Sequence, residues 1–386
     1  MLMKINTKKL FMIFIVLIMN EPPIFYNFNL INTIYRMLQI GVVFYAGIIL
    51  IRRGMDKCII SVLLYCLTNI IITLLFNTND VVIILYRMVF CFVFVYLNYF
   101  FTIEYQEEFL NIFCNILLIY TFINFLLFIK YPHGIIQIVN SNSWNNIYFL
   151  GLDNQFARII IPALGLLFLL PNRWEGFKNI FFSFIIILSN AYVVFTCKSA
   201  TLILAFVILI LGIFFSKYFK IFFSGKLLFI CYISIFVVFV LFNNLQITFV
   251  SDFVTYFFKK DITFSGRTVI WMKALNEFLN SPIWGQGATL TGNMIGNLSA
   301  HNIILQILLE NGMIGLLLFF NIFNVTILKD YSKNNRLYKI GYMVIFSIML
   351  SLFGEVYSLE YLLSFLLIIS AVKNKRKIRA TNYEQI

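Results

Sequence analysis

Charge is scarce in this sequence. Only 12% of its 386 residues are Asp, Glu, Lys or Arg, while 61% are hydrophobic. A soluble domain carries about 25% charged residues, and a single soluble core of this size leaves too much surface in water to hide so much apolar side chain. Lipid is therefore the solvent for most of the chain. Cysteine is also sparse. The six cysteines lie in or beside apolar runs, and none has CxxC or Cys/His spacing, so they read as small buried hydrophobes rather than a disulfide framework or metal ligands. No P-loop or dinucleotide-type glycine pattern occurs, which removes the usual nucleotide sites. There is no repeat of fixed period, no low-complexity tract and no soluble domain. The net charge of +13 does not indicate nucleic acid, because the basic residues fall in short gaps between apolar runs instead of on one face.

What the sequence does contain is a series of apolar runs, each long enough to cross a bilayer. About twelve spans are expected, near 10–30, 37–51, 58–76, 81–101, 109–129, 157–171, 179–197, 199–216, 227–243, 304–328, 338–354 and 358–372. The chain reads as one all-α polytopic membrane domain over 1–386. Its first run resembles a signal peptide, with Lys4, Lys8 and Lys9 ahead of it, but Glu21-Pro22-Pro23 stands where small residues would mark cleavage, so a retained span is expected. With the N-terminus in the cytoplasm, twenty of the 29 Lys and Arg residues fall on the inside, as the positive-inside rule requires. Both termini are then cytoplasmic. The inside turn 102–108 lacks a basic residue, and the basic tail from Lys373 is a solvated anchor at the lipid surface.

Two external segments are long, 130–156 and 243–302, and long ordered loops are usually functional. In the second, Thr263, Ser265 and Gly266 precede an amphipathic helical pattern with Arg267, Trp271, Ala274, Leu275 and Phe278 on one side. Ser281-Pro282 ends it. Gly285-Gln286-Gly287 forms a turn where backbone can closely approach a ligand. His301-Asn302 then opens a second short amphipathic helix ending at Glu310-Asn311, and Gly312 and Gly315 open the next span as packing glycines.

The string His301-Asn302, nine residues, Gly312, two residues, Gly315 resembles the signature of the O-antigen ligase and polymerase superfamily of bacterial membrane glycosyltransferases. Gly266-Arg267 with Trp271, then Pro282 and Gly285-x-Gly287, resembles the segment that precedes it there. A basic residue at an external turn between adjacent spans is a third element. Here the turn reads Thr196-Cys197-Lys198-Ser199-Ala200, with lysine in place of the family's usual arginine, so a bidentate grip on phosphate is not available from it. The resemblance is specific over 265–328 and looser over 190–205. It implies a GT-C-like fold and a reaction: a glycan on undecaprenyl pyrophosphate passes to an acceptor sugar hydroxyl on the outer face of the cytoplasmic membrane, with inversion and with neither metal nor cofactor.

The residue types suit that chemistry. Charge grows on the departing pyrophosphate, and fixed cations stabilise it. Arg267 offers a planar fork of donors matched to phosphate, and Lys198 a point charge at headgroup depth. Unperturbed histidine changes charge near neutrality, so His301 is the candidate either to take the acceptor hydroxyl's proton or to donate to the leaving group. Arg158, following Asp153-Asn154, together with Asn302 and Trp271, completes the expected substrate-binding set. Each residue also has a plainer reading. Arg267 can bind lipid headgroups, Lys198 can snorkel from a hairpin turn, Arg87 can pair within a span, Glu310 and Glu355 can be helix-end surface residues, and His133 has no motif around it. Richness in Asn, Ile, Lys and Phe suggests an AT-rich bacterium, where a capsule or wall polymerase is favoured over a ligase if no outer membrane exists. Lipid-linked oligosaccharide and membrane lipid are the expected partners, with a chain-length regulator and a flippase as possible protein partners and no nucleic acid. A flippase is the reading from another class, but it calls for charges deep in the spans and an internal repeat.

Overall fold

The structure is a computed structural model. It describes residues 7–140, 143–197, 199–215, 224–241, 267–288, 299–328 and 336–383. Twelve α-helices cover most of these residues. Six are long and apolar enough to cross a membrane, and three shorter ones are equally apolar. The protein is an all-α polytopic membrane protein with one small sheet added.

α1 (Thr7–Met19) stops where Asn20-Glu21-Pro22-Pro23 begins, because the prolines cannot continue a helix. α2 (Asn29–Arg53) starts at once on the other side of a short 3-10 turn and runs to Gly54 at φ 72°. The expected first span, 10–30, therefore ends at Met19, and its last residues belong to α2. α3 (Lys57–Phe76) is capped by Asp56, whose carboxylate accepts from the Cys58 and Ile59 amides, each at 3.0 Å.

The two spans expected at 81–101 and 109–129 form one 50-residue helix, α4 (Val81–Lys130), kinked where Tyr105 takes φ −128° and ψ 31°. The supposed turn 102–108 holds neither glycine nor proline and is rich in helix-forming Glu and Gln, so the chain bends without unwinding.

The segment 130–156, expected to be an external loop, is not simply a loop. β1 (Ile136–Asn140), β2 (Ser143–Tyr148) and β3 (Gly151–Leu152) make an antiparallel meander in which Ile136 faces Ile147 and Tyr148 faces Gly151. Tyr148 stacks on Phe128 and meets Phe156 edge-on, which fixes the meander to the bundle.

α5 (Ala157–Leu169), α6 (Phe177–Thr196), α7 (Ala200–Phe215) and α8 (Gly225–Phe236) follow. Then come α9 (Arg267–Asn280), α10 (Ile303–Phe323), α11 (Arg336–Gly354) and α12 (Glu360–Tyr383). α12 lies against α4, α11 against α7 and α5. The interior of the bundle is mainly apolar but holds paired polar side chains, and large apolar side chains also face outward. Asn69 and Asn311 share a buried hydrogen bond at 2.9 Å, and so do Asn98 and Ser364 at 3.0 Å. Phe181, Phe184, Leu188 and Phe195 stand exposed on α6. That pattern is stable only where the surroundings are hydrocarbon and helix association relies on packing and interhelical hydrogen bonds.

α10 breaks at Gly312, which takes φ 59° and ψ −159°. The break disconnects helix hydrogen bonds, and the turn after α9 replaces them. The Gln286 and Gly287 amides donate to the Leu309 and Glu310 carbonyls at 2.8 and 3.0 Å. In return, the Met313 and Ile314 amides donate to the Pro282 and Ile283 carbonyls at 2.9 and 3.3 Å. The backbone approach expected at Gly285-Gln286-Gly287 is thus made to the protein's own kink. A Cβ on Gly312 would lie 2.3 Å from the Ile283 carbonyl oxygen, and one on Gly285 2.5 Å from the Asn311 amide. Gly312→Ala is expected to cost about 2–4 kcal/mol, through overpacking and a left-handed backbone at once, and to lower the melting temperature of the purified protein sharply. Gly47→Ala, at an open helical position in α2, should lower it not at all.

Candidate active site at one end of the bundle

Helix alternation brings four segments to the same end of the bundle: the start of α9, the residues before α10, the end of α11, and the turn between α6 and α7. α9 is held by Trp271 and Ala274, buried one turn apart. The Trp271 ring is 2% exposed and meets the Phe353 ring edge-on at 5.6 Å. One turn earlier on the same side stands Arg267.

Its partner is Glu355, the first residue past α11. The guanidinium Nη2 donates to Oε1 of this carboxylate, while His301 Nδ1 lies 3.1 Å from Oε2. Glu355 is nearly buried, with its side chain 8% exposed, and Arg267 and His301 are about a quarter exposed, at 24% and 27%. One carboxylate thus gathers both expected catalytic side chains, which are separated by more than thirty residues in the chain.

His301 itself sits at φ 47°, alone among the described non-glycine residues in having positive φ. Positive φ is uncommon for any non-glycine residue, though less so for histidine than for most, and such conformations cluster at functional sites. Its amide is held by Ser299 Oγ at 3.1 Å. Asn302 then caps α10, accepting from the Ile304 and Leu305 amides at 3.0 and 3.2 Å. Its own amide donates to the Phe353 carbonyl at 3.2 Å. Asn302→Ala removes the cap and the tie to α11, and should destabilise the protein by about 1–2 kcal/mol. Asn302→Asp keeps the cap alone and should melt between Ala and the native protein.

Beside Arg267 and Glu355 lies a cleft of about 160 Å³ whose other walls include Asp153, Asn154, Ser199 and Thr201. Asp153 is tied down by the Asn154 amide at 2.8 Å. Ser199 and Thr201 follow Lys198 in the chain. Lys198 itself lies outside the described residues. Its other neighbour, Cys197, is buried at the end of α6.

The other expected residues lie elsewhere. The Trp271 ring is inside, packed under the site instead of facing the cleft. Arg158 is also absent from the cleft lining. It pairs at 3.2 Å with Glu360, a carboxylate that also accepts from Ser358 Oγ at 3.0 Å, and its guanidinium lies over the Tyr361 ring. Nearby, Glu21 is buried within reach of Arg36, at 3.8 Å, and Gln39, at 3.3 Å. Glu310 accepts from Gln306 at 2.6 Å. His133 is a loop residue whose carbonyl holds Gln137.

The sequence reading did not anticipate Glu360, and it gave Glu355 no partner. The available signal was a carboxylate at the edge of an apolar run, which requires a cation. It also did not place Asp153 and Thr201 beside Arg267, because only folding adjoins these segments.

Comparison with known proteins bears on the same stretch. Residues 182–320 match the family model described as O-antigen ligase. No curated protein and no solved structure matches the chain. The matched residues include Thr201, Arg267, His301 and Asn302, whereas Glu355 and Arg158 lie outside them. Over residues 182–320, which hold both side chains that Glu355 joins, this membrane protein is similar to the O-antigen ligase family.

Proposed function

We propose that the protein is a membrane glycosyltransferase that polymerises lipid-linked polysaccharide repeat units of the capsular or O-antigen type. The donor is a glycan on undecaprenyl pyrophosphate and the acceptor a sugar hydroxyl. The reaction runs with inversion and without metal at the outer face of the bacterial cytoplasmic membrane, with both termini inside. The observation that carries this reading is the convergence of Arg267 and His301 on Glu355 beside a cleft. The positive-inside distribution of Lys and Arg supports an outward-facing position for that end of the bundle.

Arg267 meets the negative charge that develops on the departing diphosphate, and His301 handles the hydroxyl proton. Lys198 follows from the sequence as a second cation at the headgroup plane, and Arg158 as a more distant contact for glycan or phosphate. Asn302 and Trp271 hold the segments that present Arg267 and His301. The family description itself supports a second reading, in which a finished glycan is transferred to a different acceptor, as in an O-antigen ligase.

The test uses purified protein in liposomes with a synthetic undecaprenyl-pyrophosphate repeat unit. Growth of a longer lipid-linked glycan supports the polymerase. Transfer only to an added non-lipid-linked acceptor supports the ligase. Movement of the intact lipid-linked unit between leaflets with no new glycosidic bond overturns the transferase reading.

A further inference from the structure

Glu355 has a distinctive position. It follows α11 directly, lies outside the residues shared with the family model, and gives each carboxylate oxygen to a different segment: Oε1 to Arg267 at the head of α9, Oε2 to His301 before α10. The same end of α11 supplies the Phe353 carbonyl to Asn302 and the Phe353 ring to Trp271. Among the described residues, the charged groups of the cleft are Arg267, Glu355 and Asp153, and Asp153 is engaged by the Asn154 amide.

We propose that Glu355 is the positioning residue of the site, fixing His301 as the Nδ1–H tautomer so that Nε2 faces the acceptor as a proton acceptor. The proposal rests on the transferase reading and assigns the direction of proton transfer within it. An ionised carboxylate only accepts hydrogen bonds, so the ring nitrogen 3.1 Å from Oε2 carries the proton. That leaves a lone pair on Nε2, which has no hydrogen-bond partner among the described residues. Arg267 sits on Oε1 of the same carboxylate, so each oxygen holds one partner. A neutral ring held in this way can accept a proton through Nε2.

The step then balances. The acceptor hydroxyl's proton moves to Nε2, and the oxygen's electron pair forms the new bond to the anomeric carbon. The bond from that carbon to the phosphate oxygen breaks, and its electrons leave on the undecaprenyl diphosphate. Arg267 receives the added charge through Nε and Nη1, which Glu355 does not use. Glu355 stabilises the imidazolium until it releases its proton to water. The same arrangement disfavours a donor role for His301, since a donor would need Nε2–H at the outset.

Two histidines in the chain make the test direct. His133→Gln leaves His301 as the single histidine, so nitrogen-15 histidine NMR of the protein in lipid reports its tautomer and titration without reference to activity. The expected result is an Nδ1–H ring in the native background. In Glu355→Gln the Nε2–H form should appear, the ring's midpoint should fall, and kcat should drop about 10²-fold with little change in KM. Glu355→Asp should recover part of each, and its thermal melting separates misfolding from mispositioning. An Nε2–H ring in the native background, or a tautomer unchanged by Glu355→Gln, overturns the proposal. A native protein that shows the Nδ1–H ring but forms no glycosidic bond overturns the transferase reading instead, and with it any catalytic purpose for the arrangement.

Discussion

Replacing His301 by asparagine is expected to slow glycan transfer about 10²–10⁴-fold, the range lost when a positioned general acid or base is removed, while the fold survives. Position 301 requires a left-handed backbone at φ 47°. Asparagine tolerates that region better than histidine does, because its short amide bonds locally. The melting temperature of His301→Asn should therefore equal or exceed that of the native protein. A stable but inactive protein identifies the histidine as a residue kept for chemistry against its own conformational preference. Normal turnover in the liposome assay would remove His301 from the mechanism.

Arg267 should behave differently, because it supports both structure and charge. Arg267→Ala is expected to lower kcat about 10²–10³-fold, as when a fixed stabiliser of developing charge is lost. It should also destabilise the protein by about 3 kcal/mol, because the nearly buried Glu355 loses its cation. Arg267→Lys separates the two effects. The point charge still neutralises Glu355, so melting should be close to native. The planar fork is gone, however, so the donor's diphosphate is gripped less well and activity should still fall at least tenfold. If lysine restores activity in full, the arginine serves only the carboxylate.

The two variants also show what the sequence could reveal. The amphipathic spacing of Arg267, Trp271 and Ala274 is a local property, and α9 forms as read, with Trp271 and Ala274 inward. The break between the helix from His301-Asn302 and the following span was legible in Gly312, because a positive φ with a carbonyl 2.3 Å from the would-be Cβ admits no other residue. The first proline pair marked the end of α1. Three features were not legible. The bend of α4 at Tyr105 lacks a glycine or proline signal. The meander at 136–152 is short, and its Asn-rich strands show no sustained apolar-polar alternation within the segment read as a loop. The gathering of Arg267 and His301 by Glu355 is a contact across more than fifty residues, and nothing in the local pattern of α11 foretells it. Arg158 and Arg267 looked alike as external cations, yet each has its own carboxylate, Glu360 and Glu355, and only Arg267 lines the cleft. They are equally buried, and only their placement against the cleft distinguishes them.

Three consecutive residues, Phe353, Gly354 and Glu355, hold Asn302, approach Thr201 and hold Arg267 with His301. Gly354 is close enough that a methyl group there would collide with the Thr201 side chain, at 2.2 Å. The end of α11 is thus pinned on three sides at once, so any substitution that shifts it displaces the guanidinium, the imidazole and the α7 wall of the cleft together.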